Sequence, residues 1–238
     1  MNNFNENTIY ILDFDGVICD SIDECMLNSY NTYNNTNLDN INGLPKKYRN
    51  YFYKFRHHVR PAKEYFIICK AYDMNVSLTS EIFLEYKNYY RKEMNDFDDK
   101  FFLRRIELRK NIILWLSYHK IYDHAIKFIT CIPNDIYILT TKDYDSVKIL
   151  SDHFGILNKV DEIFSKEISH DKSILFEYFF KNYNTILIDK RIVFVDDNEF
   201  HLEAVCKYPI ELYFASWGYS KSQTSNKFNE INSFMELV

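Results

Sequence analysis

The stretch TIYILDFDGV, residues 8 to 17, decides the fold. It is a short apolar run, rich in Ile and Tyr, that ends in two acids and a glycine, which is typical of a buried parallel strand that feeds a loop. Asp13 and Asp15 flank Phe14 at the end of this strand, so both carboxylates can point toward one cavity. Such a pair could bind Mg2+, and one carboxylate could attack phosphorus. An isolated pair is more often a solvated strand end, and it also serves metal-dependent glycosyltransferases.

Short apolar runs of the same kind recur in the second half of the chain. They lie around residues 135–141 (DIYILTT), 159–165 (KVDEIFS), 191–197 (RIVFVDD) and 210–215 (IELYFA). Segments with helical spacing lie between them, at 146–157 and 172–183. Strands that alternate with helices predict an α/β fold with a Rossmann-like parallel sheet covered on both faces. In such sheets ligands bind at the carboxyl ends of the strands.

The stretch from residue 18 to 121 differs from the rest, because it has helical periodicity and almost no strand signal. We therefore predict a catalytic core formed by residues 1–17 and 122–238. A helical cap domain, residues 18–121, is predicted to be inserted after the first strand. A chain of 238 residues is long enough for one core with such an appended unit.

Composition narrows the class of protein. The formal net charge of −5 argues against general binding to a nucleic-acid backbone, which depends on Lys and Arg. The five cysteines are odd in number and dispersed, as expected for reduced thiols in a cytoplasmic protein. The sequence has no leader pattern and no long apolar run, so we expect neither secretion nor a membrane span. We expect a cytoplasmic protein that binds neither nucleic acid nor membrane and is a monomer or a homodimer.

Further polar residues follow the later strands. Thr140 and Thr141 end the run DIYILTT, and Lys172 opens the helical segment after the next run. Lys166 is an alternative candidate for a functional lysine in this region, but it lies nearer the strand than Lys172 and no helical pattern follows it. Each of these residues by itself is ordinary, because threonine is common in strands and lysine on surfaces.

Asp196 and Asp197 come directly after the apolar run RIVFV. Adjacent carboxylates repel each other unless a cation or hydrogen bonds offset the repulsion, which makes this pair a candidate for a metal site. The structural alternative is that they cap the helix that follows, a role that Asn198 could fill equally well.

Taken together, these residues resemble the four motifs of the haloacid dehalogenase-like hydrolases, in the expected order. The string ILDFDGV is similar to the first motif, Thr140 to the second, Lys172 to the third, and the pair Asp196 and Asp197 to the fourth. The string WGY at 217–219 often follows the last core strand in relatives. Within the superfamily, the resemblance is to the phosphoglycolate phosphatase-like and beta-phosphoglucomutase-like branch with a helical cap.

The resemblance implies a Mg2+-dependent phosphatase that acts on a small phosphorylated metabolite. Asp13 would be the nucleophile that becomes phosphorylated, and Asp15 the general acid and base. Thr140, with Thr141 beside it, and Lys172 would bind the phosphoryl group. The predicted metal site consists of Asp13, the backbone carbonyl of Asp15, and one or both of Asp196 and Asp197. An acid at position 15 disfavours dehalogenation, since relatives that cleave carbon–halogen bonds usually lack it.

The predicted cap contains a basic segment, residues 46–63, which has seven Lys and Arg and no acid. It could attract an anionic substrate, with Arg60 before Pro61 as the candidate specificity contact. It could equally be a solvated helix face balanced by acids elsewhere. His57 and His58 have no third ligand at metal spacing, so a zinc site is not expected.

Three other functions stay open. A phosphosugar mutase of the same fold would return the phosphoryl group to its substrate, and the motifs do not separate it from a phosphatase. A metal-dependent glycosyltransferase would use Asp13 and Asp15 but leaves Thr140 and Lys172 without a role. A phosphate-binding module without catalysis would not need the full set of catalytic residue types.

Overall fold

The structure is a computed structural model that describes residues 7–183, 187–220 and 227–237. Its contacts divide the chain into two units. The first unit comprises residues 1–20 and 121–238, and the second comprises residues 21–120. The sequence analysis placed these boundaries at residues 17 and 122. No helix among the described residues is long and apolar enough to cross a membrane.

The first unit is built on a six-stranded sheet in which every neighbouring pair of strands is parallel. Its strands in chain order are β1 (Thr8–Leu12), β4 (Asp135–Leu139), β5 (Glu162–Phe164), β6 (Arg191–Asp196), β7 (Glu211–Ala215) and β8 (Asn229–Ile231). Short strands β2 (Cys19–Asp20) and β3 (Lys120–Ile121) lie where the chain leaves and re-enters this unit.

The strand order across the sheet is β5-β4-β1-β6-β7-β8. The chain builds β4 and β5 on one side of β1 and then returns to build β6 on the other side. The topological switch point therefore lies at β1, where parallel sheets open a crevice at the carboxyl ends of the strands. The predicted α/β class and the parallel sheet are confirmed.

Helices cover both faces of the sheet. They are α7 (Asp123–Cys131), α8 (Tyr144–His153), α9 (Lys172–Tyr183) and α10 (Glu199–Val205). Phe176 and Phe179 of α9 and Leu202 of α10 pack on one face, in a core that includes Ile11 and Phe194. Tyr10, the residue between Ile9 and Ile11, contacts Phe128 of α7 edge to face. Neighbouring residues of β1 thus point to opposite, equally buried faces, which explains why the strand is apolar throughout.

The second unit is helical, as predicted. It consists of α1 (Ile22–Asn34), α2 (Lys46–Phe55), α3 (Tyr65–Asp73), α4 (Ser80–Tyr89), α5 (Arg91–Arg109) and α6 (Ile112–Leu116). Its core is rich in aromatic residues, and Phe52 stacks on Tyr65, which stacks on Phe101. The helical pattern continues through residues 101–122, but the helix breaks after Arg109, and the side chain of Asn111 then caps α6.

Candidate active site at the strand ends

The first predicted motif lies at the end of the central strand β1. Asp13 is buried, and its backbone N–H donates to the carbonyl of Val195 on the neighbouring strand β6. This bond fixes the backbone at the position where the strand ends. Gly16 follows in a left-handed conformation with φ of +86°, and a Cβ there would lie 2.6 Å from a carboxylate oxygen of Asp197. Only glycine therefore allows the first and fourth motifs to approach this closely.

Lys172 joins the predicted motifs at the first residue of α9. Its buried Nζ lies 2.8 Å from Oδ1 of Asp13 and 3.1 Å from Oδ2 of Asp196, and it donates to the backbone carbonyl of Leu139 at 2.5 Å. The alternative, Lys166, lies 3.7 Å from Glu167 and is partly exposed. The structure therefore brings Lys172, and not Lys166, to the carboxylate of Asp13.

Two buried carboxylates share the ammonium group of Lys172, and this changes their proton affinities. Burial raises the pKa of Asp13, and the neighbouring Asp196 adds to the rise, while Lys172 partly offsets it. Burial also acts to raise the pKa of Asp196, but Lys172 and His201 outweigh it and hold that pKa at about 2. The pKa of Lys172 is raised, since attraction to both carboxylates exceeds the effect of burial. Two carboxylates thus face one ammonium group, with His201 beside Asp196.

Asp196 and Asp197 have different environments although they are adjacent. Asp196 accepts hydrogen bonds from the backbone N–H of Asn198 at 2.8 Å and from the Nδ1 of His201. Oδ2 of Asp197 accepts from the backbone N–H of Tyr219 at 2.5 Å. The side chain of Asn198 caps α10, so capping of the helix is not what these two carboxylates do.

The string WGY at 217–219 holds Asp197 and the first loop together. A Cβ at Gly218 would lie 2.2 Å from the Cβ of Asp197, so this position also requires glycine. The indole N–H of Trp217 donates to the carbonyl of Val17, and the hydroxyl of Tyr219 donates to Asp20. The segment after β7 thus fixes both the loop after β1 and the second acid of the fourth motif.

Asp15 and Thr140 also lie at the strand ends. Nζ of Lys142 contacts both carboxylate oxygens of Asp15, at 3.1 and 3.2 Å, and the side chain of Lys142 is completely buried. Thr140 follows β4 directly and is buried, and its hydroxyl accepts from the backbone N–H of Lys142. Thr141 is half-buried. Lys142 was missed by the sequence analysis, although its position two residues after Thr140 places it in the same loop.

His201 is the second residue that the sequence analysis missed. Asp13, Asp196 and His201 each offer one ligand atom, and these atoms lie within 4.8 Å of one another, as the ligands of a metal ion must. Two carboxylates and an imidazole are suitable donors for a divalent cation, so this part of the predicted metal site fits one. The sequence signal was available, because His201 follows Asp196 by five residues at the start of a helix.

Arg60 lies in the second unit, after the turn Arg56–His58. Its backbone N–H donates to the carboxylate of Glu64 at 2.9 Å, and Lys87 also contacts this buried acid. Tyr48, Phe52 and Phe55 of the basic segment are buried, as expected for packing. The role of Arg60 in specificity stays a prediction.

Comparisons with known proteins agree on the fold. No protein-family model matches the chain, and no curated protein matches it. Solved structures match over nearly its whole length. They include a phosphoglycolate phosphatase predicted in Haemophilus somnus, with 15% identity, a TM-score of 0.68 and coverage of 98% of this chain and 97% of that one. A hydrolase of the haloacid dehalogenase-like family from Streptococcus pneumoniae has 14% identity, a TM-score of 0.58 and coverage of 98% and 97%.

A third match is protein tyrosine kinase A from Mycobacterium tuberculosis, with 14% identity, a TM-score of 0.65 and coverage of 98% and 97%. The chain therefore has the fold of the haloacid dehalogenase-like hydrolases, and the resemblance inferred from its motifs is confirmed at that level. Because a protein named as a kinase shares this fold, the reaction has to be inferred from the site.

Proposed function

We propose that the protein is a Mg2+-dependent phosphatase that hydrolyses a small phosphorylated metabolite through an aspartyl-phosphate on Asp13. The observation that carries this proposal is the contact of buried Lys172 with both Asp13 and Asp196 at the topological switch point. A carboxylate can approach a phosphate dianion only where positive charge offsets the repulsion. Lys172 supplies one such charge.

A divalent cation would supply the rest of the positive charge. Mg2+ would be held by Asp13, the backbone carbonyl of Asp15 and one or both of Asp196 and Asp197. When bound, it offsets negative charge on the nucleophile and on the phosphate. The contacts of Lys172 support this, because two carboxylates, those of Asp13 and Asp196, face its single ammonium group.

Asp13 and Asp15 would divide the reaction into two steps. An oxygen of Asp13 attacks phosphorus, the bond to the leaving oxygen breaks, and Asp15 gives that oxygen a proton. Asp15 then takes a proton from water, which attacks the aspartyl-phosphate, releases phosphate and restores Asp13. Lys142 contacts both oxygens of Asp15 and so limits its movement between the steps. Thr140 is buried at the end of β4, beside the end of β1, and its hydroxyl would donate a hydrogen bond to the phosphoryl group.

The test is phosphate release from a panel of phosphorylated metabolites, with Mg2+ and with EDTA. We compare the wild type with Asp13→Ala, and use Asp145→Ala on the exposed start of α8 as a matched control. We expect release that requires Mg2+, is normal in the control and is lost in Asp13→Ala. Release by Asp13→Ala at the wild-type rate would contradict the proposal. An isomerised sugar phosphate in place of free phosphate would instead indicate a mutase.

A further inference from the structure

His201 lies against Asp196, one of the carboxylates proposed to bind the cation, and has no part in the proposed reaction. Its Nδ1 is 3.2 Å from Oδ1 and 3.1 Å from Oδ2 of Asp196. With Asp13 it completes a group whose ligand atoms lie within 4.8 Å of one another. Within residues 7–183, 187–220 and 227–237, no second group of His, Cys, Asp and Glu side chains has this spacing. The position of His201 therefore calls for an explanation.

The distances fit ligands that share one cation. Adjacent ligands of an octahedral ion with bonds of about 2.1 Å lie about 3 Å apart. The separation of Nδ1 of His201 from Oδ1 of Asp196, 3.2 Å, is close to that value. With its proton on Nε2, the imidazole can exchange the hydrogen bond from Nδ1 to Asp196 for coordination of a cation that this carboxylate also binds, and no large movement is needed.

The other contacts in the cluster leave lone pairs on the carboxylates for such an ion. Lys172 contacts Oδ1 of Asp13 and Oδ2 of Asp196. Oδ1 of Asp196 also accepts from the backbone N–H of Asn198, but a carboxylate oxygen has a second lone pair. A cation can therefore use the remaining lone pairs of both carboxylates while Lys172 stays in place.

We propose that His201 is a direct nitrogen ligand of the divalent cation, so that the site favours Mn2+ and Co2+ over Mg2+ more strongly than a site built from oxygen ligands alone. The inference rests on the cation site of the proposed function. Its physical basis is that Mg2+ prefers oxygen ligands, whereas imidazole suits later transition metals. An outer role for His201, as a hydrogen-bond donor that only orients Asp196, would weaken all cations alike.

The experiment measures metal binding to the intact protein without substrate. Dissociation constants for Mn2+, Co2+ and Mg2+ are obtained by calorimetry for the wild type, His201→Asn and His201→Asp. His153→Asn, which alters an exposed histidine at the end of α8, is the matched control. A second readout is electron spin echo envelope modulation of bound Mn2+, which detects a coordinated nitrogen directly, and 15N-histidine labelling identifies its source.

We expect the wild type and the control to show nitrogen coupling from histidine, and both His201 variants to lose it. Co2+ affinity should fall on the order of tenfold or more in His201→Asn, with Mg2+ affinity changed much less. His201→Asp should reduce the ratio of Co2+ affinity to Mg2+ affinity, because it replaces the nitrogen ligand with an oxygen ligand. Absence of histidine coupling in the wild type, or an equal loss of affinity for all three ions in His201→Asn, would overturn the inference.

Failure of this inference is distinct from failure of the proposed function. Binding and spin-echo measurements need no turnover, so nitrogen coupling can be present in a protein that releases no phosphate. Conversely, Mg2+-dependent phosphate release without histidine coupling would leave the phosphatase proposal intact and reject His201 as a ligand. Thermal unfolding of each variant without metal shows whether any change comes from misfolding.

Discussion

Each unit of the protein buries a cluster of charged side chains, and the two clusters differ in their charge balance. In the second unit, Arg105 and Glu24 form a bidentate pair, with Nε–Oε1 and Nη2–Oε2 distances of 2.8 and 2.7 Å. In the first unit, Lys172 contacts two carboxylates, Asp13 and Asp196. In the pair, one cation faces one carboxylate, whereas in the cluster one ammonium group faces two carboxylates, with His201 beside the second, so the cluster can bind a further cation. Burial of charge alone therefore does not indicate function, but an unbalanced buried cluster does.

Removal of the shared lysine should have the largest effect. Lys172→Met leaves two buried carboxylates facing each other, so we expect turnover to fall by about a thousandfold or more and the free energy of unfolding to fall by about 3–5 kcal/mol. Mn2+ or Mg2+ should restore part of that stability, because a cation at the carboxylates replaces the lost charge. Phosphate release and thermal unfolding with and without metal measure both effects.

Lys166→Met is the matched control for this experiment, since Lys166 is partly exposed and its ammonium group contacts Glu167. It should change neither turnover nor stability by a measurable amount. If Lys172→Met gained no more stability from metal than the control does, the unbalanced cluster would not be a cation site.

The corresponding change in the second unit should affect stability alone. Arg105→Met removes the guanidinium group that pairs with the buried carboxylate of Glu24, which we expect to cost about 3–5 kcal/mol of unfolding free energy. Divalent cations should not restore it, because one carboxylate in an apolar core offers too few ligands. Chemical denaturation measures the loss, and Arg104→Met on the same helix is the control. Rescue by Mn2+ would remove the distinction between the two clusters.

An intermediate effect is expected at Lys142, which pairs with one acid as Arg105 does but lies at the strand ends. Lys142→Met should lower turnover about 10- to 100-fold, since Asp15 loses the contact that limits its position. Stability should change less than in Arg105→Met, because Asp15 is partly exposed and water can hydrate it. Steady-state kinetics with Lys142→Arg as the conservative control distinguishes these outcomes. Unchanged turnover in Lys142→Met would assign the pair a structural role.

The sequence predicted the strand ends well, and physical reasons explain why. β1 and β6 are buried on both faces, so they read as continuous apolar runs, and the acids that follow them stand out. The helix Lys172–Tyr183 begins and ends where its spacing predicted. β8 escaped prediction because two of its three residues are exposed at the edge of the sheet. The break after Arg109 was missed because helical periodicity continues across it.

The charge partners were harder to predict, because they depend on distances between loops. Lys142 and His201 follow Thr140 and Asp196 by two and five residues, but this spacing does not show that the fold places them against Asp15 and Asp196. The ion pair of Glu24 and Arg105 joins residues 81 positions apart, on α1 and α5. Sequence motifs thus identify the carboxylates of the site, and only the fold shows which cationic side chains face each carboxylate.

The smallest effect should come from replacing the balanced pair as a whole. Glu24→Met combined with Arg105→Met removes both charges together, so neither is left unpaired in the core. Apolar replacements of buried ion pairs are often neutral or stabilising, and we expect the double variant to lie within about 1 kcal/mol of the wild type. A double-mutant cycle from chemical denaturation, with each single variant, measures the coupling between the two residues.

The comparison between the clusters depends on this result. If the double variant is as stable as the wild type while Arg105→Met is not, the pair stabilises the second unit only by cancelling its own charges. A double variant as unstable as Arg105→Met would show that the core needs the geometry of the pair, for example the guanidinium group 4.7 Å from the ring centre of Phe101. The geometry of the side chains would then matter in both clusters. The two clusters would differ only in charge balance, since only the cluster in the first unit has more carboxylates than ammonium groups.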